Sequence, residues 1–137
     1  MKKVILLMVV LILSLSGCKR AVTFGNIDNV KITAVSSEVY SEQDIKSAII
    51  VVTEHFRKNF SDCVLNEISY AGDDKIEREL SMLLEYKAND VIVLTSCFEA
   101  GVYADPSFYP DDVYEDWNWT LVRKKGENWQ LVNFGYC

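Results

Sequence analysis

The sequence is short of the residues that most site chemistry needs. It holds one histidine, His55, among 137 residues, and its four cysteines include no C-x-x-C pair. Structural zinc sites draw on such close pairs, because two ligands from one turn set half of the tetrahedron. A site built from His55, Cys63, Cys97 and Cys137 would have none, so no metal is expected, and the cysteines read as small buried hydrophobes. There is no G-x-S-x-G, no H-E-x-x-H, no P-loop and no G-x-G-x-x-G, so no nucleophile elbow, zinc protease, nucleotide or dinucleotide site is indicated. Spacing alone therefore names no catalytic residue and no cofactor, and the balance leans away from an enzyme. Basic residues are scarce too: 14 Lys and Arg stand against 20 Asp and Glu, a formal net charge of −6. That balance argues against nucleic acid and against electrostatic docking on anionic lipid, since both need basic patches. Repeats and low-complexity segments are absent. No apolar run reaches the ~20 residues that a membrane-spanning helix needs.

What is present begins at the amino end. Met1-Lys2-Lys3 is a short positive region, and Val4 to Leu13 follow as an unbroken apolar run. Charge, then a run too short to span, is the pattern of a cleaved leader. Leu15-Ser16-Gly17-Cys18 comes next: an aliphatic residue, two small residues and a cysteine. This stretch resembles the lipobox of bacterial lipoproteins. The resemblance implies a signal peptide over 1–17, cleavage before Cys18, and lipid on the Cys18 thiol. Two or three acyl chains hold a protein stably on a membrane where one does not. The implied location is the cell envelope, on the extracytoplasmic face of a membrane. Lys19, not aspartate, follows the cysteine. Taking Lys2 and Lys3 from the 14 basic residues leaves 12 against 20 acids, so the mature charge is −8. The lipid, not charge, must do the anchoring. Three cysteines then remain in an oxidising compartment, which allows at most one internal disulfide.

Residues 18–29 read as a polar tether and 30–137 as one domain, a length that carries its own core. Val30 to Tyr40 is β-rich, either a leading strand or an extended lead-in. Ser41 with Asp44 gives a helix start of capping-box form, and Ile45, Ala48, Ile49, Val52 and Phe56 recur at helical spacing to about Asn59. Phe60-Ser61-Asp62 breaks that helix. Val64 to Tyr70 alternates, with Val64, Ile68 and Tyr70 on one face of a strand. Asp74, with Glu77 three residues on, predicts a second helix whose buried stripe is Ile76, Leu80, Leu83 and Leu84, stopped by a left-handed Asn89. Val91 to Phe98 is apolar and β-branched, as a strand covered on both faces should be. A long loop, Glu99 to Glu115, precedes two alternating segments, Asp116–Lys124 and Asn128–Tyr136. The compact turn Lys125-Gly126-Glu127 makes them an antiparallel hairpin. The fold class expected is α+β: two helices on a mainly antiparallel sheet of about four strands.

Three groups of residues could carry chemistry. Trp117 and Trp119 share one strand face, and Trp129 lies on the partner strand, so the three are candidates for an aromatic binding ladder or for core. Asp105, Asp111, Asp112, Glu115 and Asp116 could offer oxygens to calcium, but they lack the Asp-x-Asp-x-Asp-Gly order that fixes such a loop. Glu67 and Glu99 are the acids with mostly apolar sequence neighbours. His55 sits beside the helix stripe, where boundary histidines are common.

Phe60-Ser61-Asp62-Cys63, Val91-Ile92-Val93-Leu94, Trp117-Asn118-Trp119-Thr120-Leu121-Val122-Arg123, Trp129 and Gly135-Tyr136 together resemble a group of small uncharacterised surface lipoproteins. A weaker likeness is to cystatin-like or NTF2-like folds, where a long helix lies in a curved sheet. The anchor and the absence of catalytic spacing lead to the expectation of a non-catalytic binding or interaction module with a protein or small-molecule partner, a protein inhibitor whose acidic surface meets a basic enzyme among its forms. The cystatin-like or NTF2-like likeness implies a pocket between helix and sheet for a small hydrophobic molecule. Fold likeness does not choose between them.

Overall fold

The computed structural model describes residues 24–136; the expected signal peptide, Cys18 and Cys137 lie outside them. The described chain forms β1 (Lys31–Thr33), α1 (Glu42–Asn59), β2 (Cys63–Tyr70), a 3-10 helix (Asp73–Glu79), α2 (Leu80–Glu85), β3 (Asp90–Ala100), β4 (Val113–Arg123) and β5 (Gln130–Gly135). One five-stranded sheet runs in the order β1-β2-β3-β4-β5. Neighbours are antiparallel except β1, which lies parallel to β2. The architecture is α+β, with five strands in place of about four. The added strand is the short β1, drawn from the β-rich lead-in. The domain also starts earlier than the expected boundary at Val30. Gly25 N–H donates to Arg57 O, and Asn26 exchanges backbone bonds with Cys63 and Leu65. Gly25 is buried there, and a Cβ on it would stand 2.8 Å from the Phe56 ring. Residues 25 and 26 are therefore part of the domain, not of a tether.

α1 forms where the sequence places it, for local reasons. Ser41 Oγ accepts from Asp44 N–H and the Asp44 carboxylate accepts from Ser41 N–H, so two otherwise orphaned donors are satisfied reciprocally. Ile45, Ala48, Ile49, Val52 and Phe56 are all buried. At about 1.5–3 kcal/mol for each large apolar side chain taken from water, that stripe is what holds the helix to the sheet. After Phe60 caps the end, Asp62 adopts a left-handed φ of 55° and turns the chain into β2.

The sheet carries three bulges, and each changes which residues face α1. In β2 the register slips between Leu65 and Glu67. Cys63, Leu65, Ile68 and Tyr70 are buried as a result, while Val64 is exposed. Val64 thus leaves the face it was expected to share with Ile68 and Tyr70. β3 is central and buried on both faces: Ile92, Leu94 and Phe98 belong to the main core with α1, and Val91 and Val93 are buried on the reverse. The 3-10 helix and α2 also lie against β3.

The second helix differs from expectation. It starts as a 3-10 turn after Gly72 with no side-chain cap, and only six residues are α-helical. None of its side chains is fully buried, and Leu84 is 85% exposed. The residue with left-handed φ is Lys87, not Asn89. Asn89 instead accepts from Lys125 N–H, tying this connection to the hairpin turn.

A candidate aromatic binding face

β4 and β5 form the expected hairpin, closed by Gly126 at φ 78° and a Glu127 N–H to Lys124 O bond. A bulge at Thr120/Leu121 sets Leu121 opposite Leu131 but Trp119 opposite Phe134. The extra residue, Val132, reverses the alternation within β5. Leu131 and Phe134 therefore both reach the α1 side. The ring opposite Trp119 is Phe134, not Trp129.

This register separates the three tryptophans. Trp119 is fully buried, and its indole N–H donates to Ser96 Oγ at 2.8 Å. Trp129 is also buried, at the other end of the hairpin. Its N–H donates to Asp44 O, and the Arg123 guanidinium lies 4.2 Å over its ring centre. Arg123 in turn donates to Asp44 at 2.6 Å and to Asp90 at 3.0 Å. Neither Trp119 nor Trp129 can meet a ligand, so the candidate ladder of three is corrected to one. Trp117 alone reaches the surface, half-buried.

Around Trp117 lies a continuous belt of rings. Tyr136 stands edge-on to it at 5.2 Å between centroids, Tyr114 at 5.9 Å, Phe108 at 5.8 Å, and Phe134 tilts beside it at 6.5 Å. His55, from the last turns of α1, closes the other side at 5.3 Å from Phe134. Phe134 is 45% exposed and Tyr136 62%. Sequence reasoning missed both. Their signal was the second apolar row of the last strand, which only the bulge brings to the α1 side. Among the described residues the buried Trp117 N–H has no hydrogen-bond partner.

The electrostatics of the face are one-sided. Burial lowers the His55 pKa, so the ring favours its neutral form. Burial raises the Tyr136 hydroxyl, and the nearby charges of Asp112, Asp116 and Glu115 raise it further. A third bulge explains those acids: Ser96 faces Trp117 and Phe98 faces Tyr114, so Glu115 and Asp116 together oppose Cys97. Asp116 takes a left-handed φ of 53° there.

The other candidates do not assemble into a reactive site. Among the described residues no group of three or more His, Cys, Asp or Glu could hold a metal ion. Asp105 caps the Ser107 N–H and Asp112 caps Val113 N–H, which are turn contacts and not a calcium cage. Glu67 accepts from the Thr33 hydroxyl and lies 3.6 Å from Lys31, while Glu99 is exposed at the β2–β3 end. Cys63 and Cys97 are both free thiols. Burial pushes Cys63 up to about 11, and burial with Glu115 raises Cys97, the reverse of what a nucleophilic thiolate requires. An open groove of about 350 Å³ runs past Glu67, Cys97, Glu115 and Asp116, and another of about 510 Å³ passes Asp90, Arg123 and Lys125. Neither lies between α1 and the sheet. That space is filled by Ala48, Val52, Phe56, Leu94, Trp119 and Leu121, all with no exposed surface. The pocket implied by the NTF2-like likeness is thus occupied by the protein's own side chains.

No protein-family model, curated protein or solved structure matches the chain.

Proposed function

We propose that the chain is a non-catalytic binding module, anchored through lipid on Cys18 to the extracytoplasmic face of a membrane, and that it meets its partner through the ring face of Trp117, Phe134 and Tyr136. The observation that carries the contact surface is the exposure of Phe134 and Tyr136 on an aromatic belt whose other rings are buried or half-buried. Burying such rings against a partner returns the apolar area that the monomer leaves in water, and aromatic residues recur at the energetic centres of interfaces. The anchor rests on the lipobox and on nothing in the folded domain. No helix among the described residues is long and apolar enough to cross a membrane.

The test is made with the full chain in a bacterial host. Wild-type protein is expected in the membrane fraction with the mass of a diacylated amino terminus, and Cys18→Ser is expected to lose both. Cross-linking in intact cells should give an adduct that Phe134→Ala removes while membrane retention stays. A Cys18→Ser protein that still carries acyl mass would remove the anchor. Turnover of an envelope substrate would remove the non-catalytic reading.

A further inference from the structure

We infer that the ring face meets the membrane itself: the domain rests its aromatic end, with Tyr103, Tyr109, Phe134 and Tyr136, in the headgroup boundary of the bilayer that holds its lipid. This rests on the anchor in the reading above and names what the rings touch.

Three observations converge on it. The first is where the chain enters the domain. Gly25 and Asn26 are bonded to the last turn of α1 and to the start of β2. Cys63 lies opposite Ala100, Glu99 opposite Val113, and Asn118 opposite Gly135. The end of α1, the start of β2, the 101–112 loop and the end of β5 therefore share one end of the molecule, and Phe24 emerges there. The second is reach. Five residues separate Cys18 from Phe24. At ~3.6 Å per residue they bridge at most about 22 Å. α1 has 18 residues, about 27 Å of helix, and its first turn lies at the opposite end beside Arg123 and Trp129. So short a link cannot turn that opposite end to the bilayer. The third is the surface. Every exposed aromatic among the described residues lies at the near end: Phe24, Tyr103, Tyr109, Phe134 and Tyr136, with Tyr109 75% exposed. Leu80 and Leu84, the exposed leucines, lie in the segment between β2 and β3 at the other end. Three of the five rings are tyrosines, whose body is apolar and whose hydroxyl stays in water, as suits headgroup depth. Charge does not draw them there. Asp105, Asp111 and Asp112 stand on the same loop without an ion pair among the described residues. The contact is therefore aromatic, and anionic lipid opposes it. The anchor supplies what a few rings alone lack, because docking within reach of a lipid tether is an intramolecular step.

The experiment uses the full chain, purified from a bacterial membrane with its lipid and placed in phosphatidylcholine vesicles. The vesicles contain a photoactivatable phosphatidylcholine with a diazirine high on one acyl chain, and lipid adducts are mapped by mass spectrometry. Adducts are expected on the peptides that hold Tyr103 to Tyr109 and Phe134 to Tyr136, and not on the hairpin turn or on Leu80 to Leu84. Tyr103→Ser with Tyr109→Ser should cut the loop adducts severalfold, while Leu80→Ser with Leu84→Ser leaves them unchanged. Urea unfolding checks that each variant is folded. Replacing part of the phosphatidylcholine with phosphatidylglycerol at low salt should thin the domain's adducts, because the loop acids are repelled. Denser adducts on the anionic vesicles would mean that Arg57 and Lys58, in the last turn of α1, dock by charge, and would overturn the aromatic contact. So would adducts at the hairpin turn or Leu84, no adducts on the folded domain, or no change in the tyrosine variant. In any of those cases acyl mass on Cys18 with a Phe134-dependent protein adduct in cells would leave the binding reading standing with a protein partner. A purified chain without acyl mass would end the anchor on which both rest.

Discussion

Arg123 shows how much a single side chain can join. It links the first turn of α1, the start of β3 and the end of β4 through Asp44, Asp90 and the Trp129 ring. A lysine would keep the charge but lose the planar fork and most of the stacking. Arg123→Lys is expected to lower stability by about 1 kcal/mol in urea unfolding at neutral pH; an unchanged midpoint would mean the fork contributes nothing net. The pH dependence follows from Asp44. The Ser41 hydroxyl first, and then the Arg123 guanidinium, hold its carboxyl below the usual aspartate range. A carboxyl depressed in the folded state stabilises fully above the unfolded value, about 3.9. That contribution is lost as the pH falls through the lower folded value. The urea midpoint should therefore drop below about pH 4, and drop less steeply in Asp44→Asn. At this scale the sequence was partly legible: Ser41-x-x-Asp44 announces the cap, but nothing in the spacing announces that Asp44 also receives Arg123 from 79 residues away.

The two helical segments show where pattern reading succeeds and where it does not. Both have apolar residues at helical spacing, and both have an acid at the start. In α1 Ser41 stands at the cap and Asp44 completes it with one carboxylate oxygen while the other receives Arg123. In the second segment the cap position falls on Gly72, so the expected cap, Asp74, lies inside the first turn near Lys75, while the Asp73 carboxylate accepts from the Ser37 hydroxyl, the Glu38 N–H and the Tyr70 hydroxyl. No side-chain cap is left, a 3-10 turn forms instead, and the stripe Ile76, Leu80, Leu83, Leu84 is left partly in water. The consequence is measurable. Leu84→Gln should change stability by less than about 0.5 kcal/mol, as surface substitutions do. Phe56→Ala, in the middle of the buried stripe, should cost about 3–5 kcal/mol. A large loss at Leu84 would mean that this segment is covered. The strands tell a similar story. Their positions and the hairpin turn are legible from alternation and from Gly126, but the three bulges are not. The extra residue Val132 brings Phe134 and Tyr136 to the face that Trp117 shares, which alternation does not show, while Trp129 is set apart from Trp117 by its place at the other end of the hairpin.

At the scale of the molecule, charge and shape divide the chain in two. At the end that holds Arg123, its guanidinium pairs with the carboxylates of Asp44 and Asp90. At the end that holds the 101–112 loop and the β3–β4 bulge no acid of either has an ion pair among the described residues, and there too the rings of Phe134 and Tyr136 emerge. Composition made the overall acidity plain, whereas the gathering of Glu115 and Asp116 opposite Cys97 needed the register of β4 against β3. Like charges crowded on one end repel, and mobile ions screen that repulsion over a Debye length of about 10 Å at 0.1 M salt. The thermal midpoint should therefore rise by a few degrees between about 20 mM and about 0.5 M sodium chloride. Glu115→Gln with Asp116→Asn should raise the low-salt midpoint and flatten the response, because the repulsion is removed at its source. The opposite sign, a midpoint that falls with salt, would mean that the attractive pairs around Arg123 and Glu54 outweigh the unpaired acids.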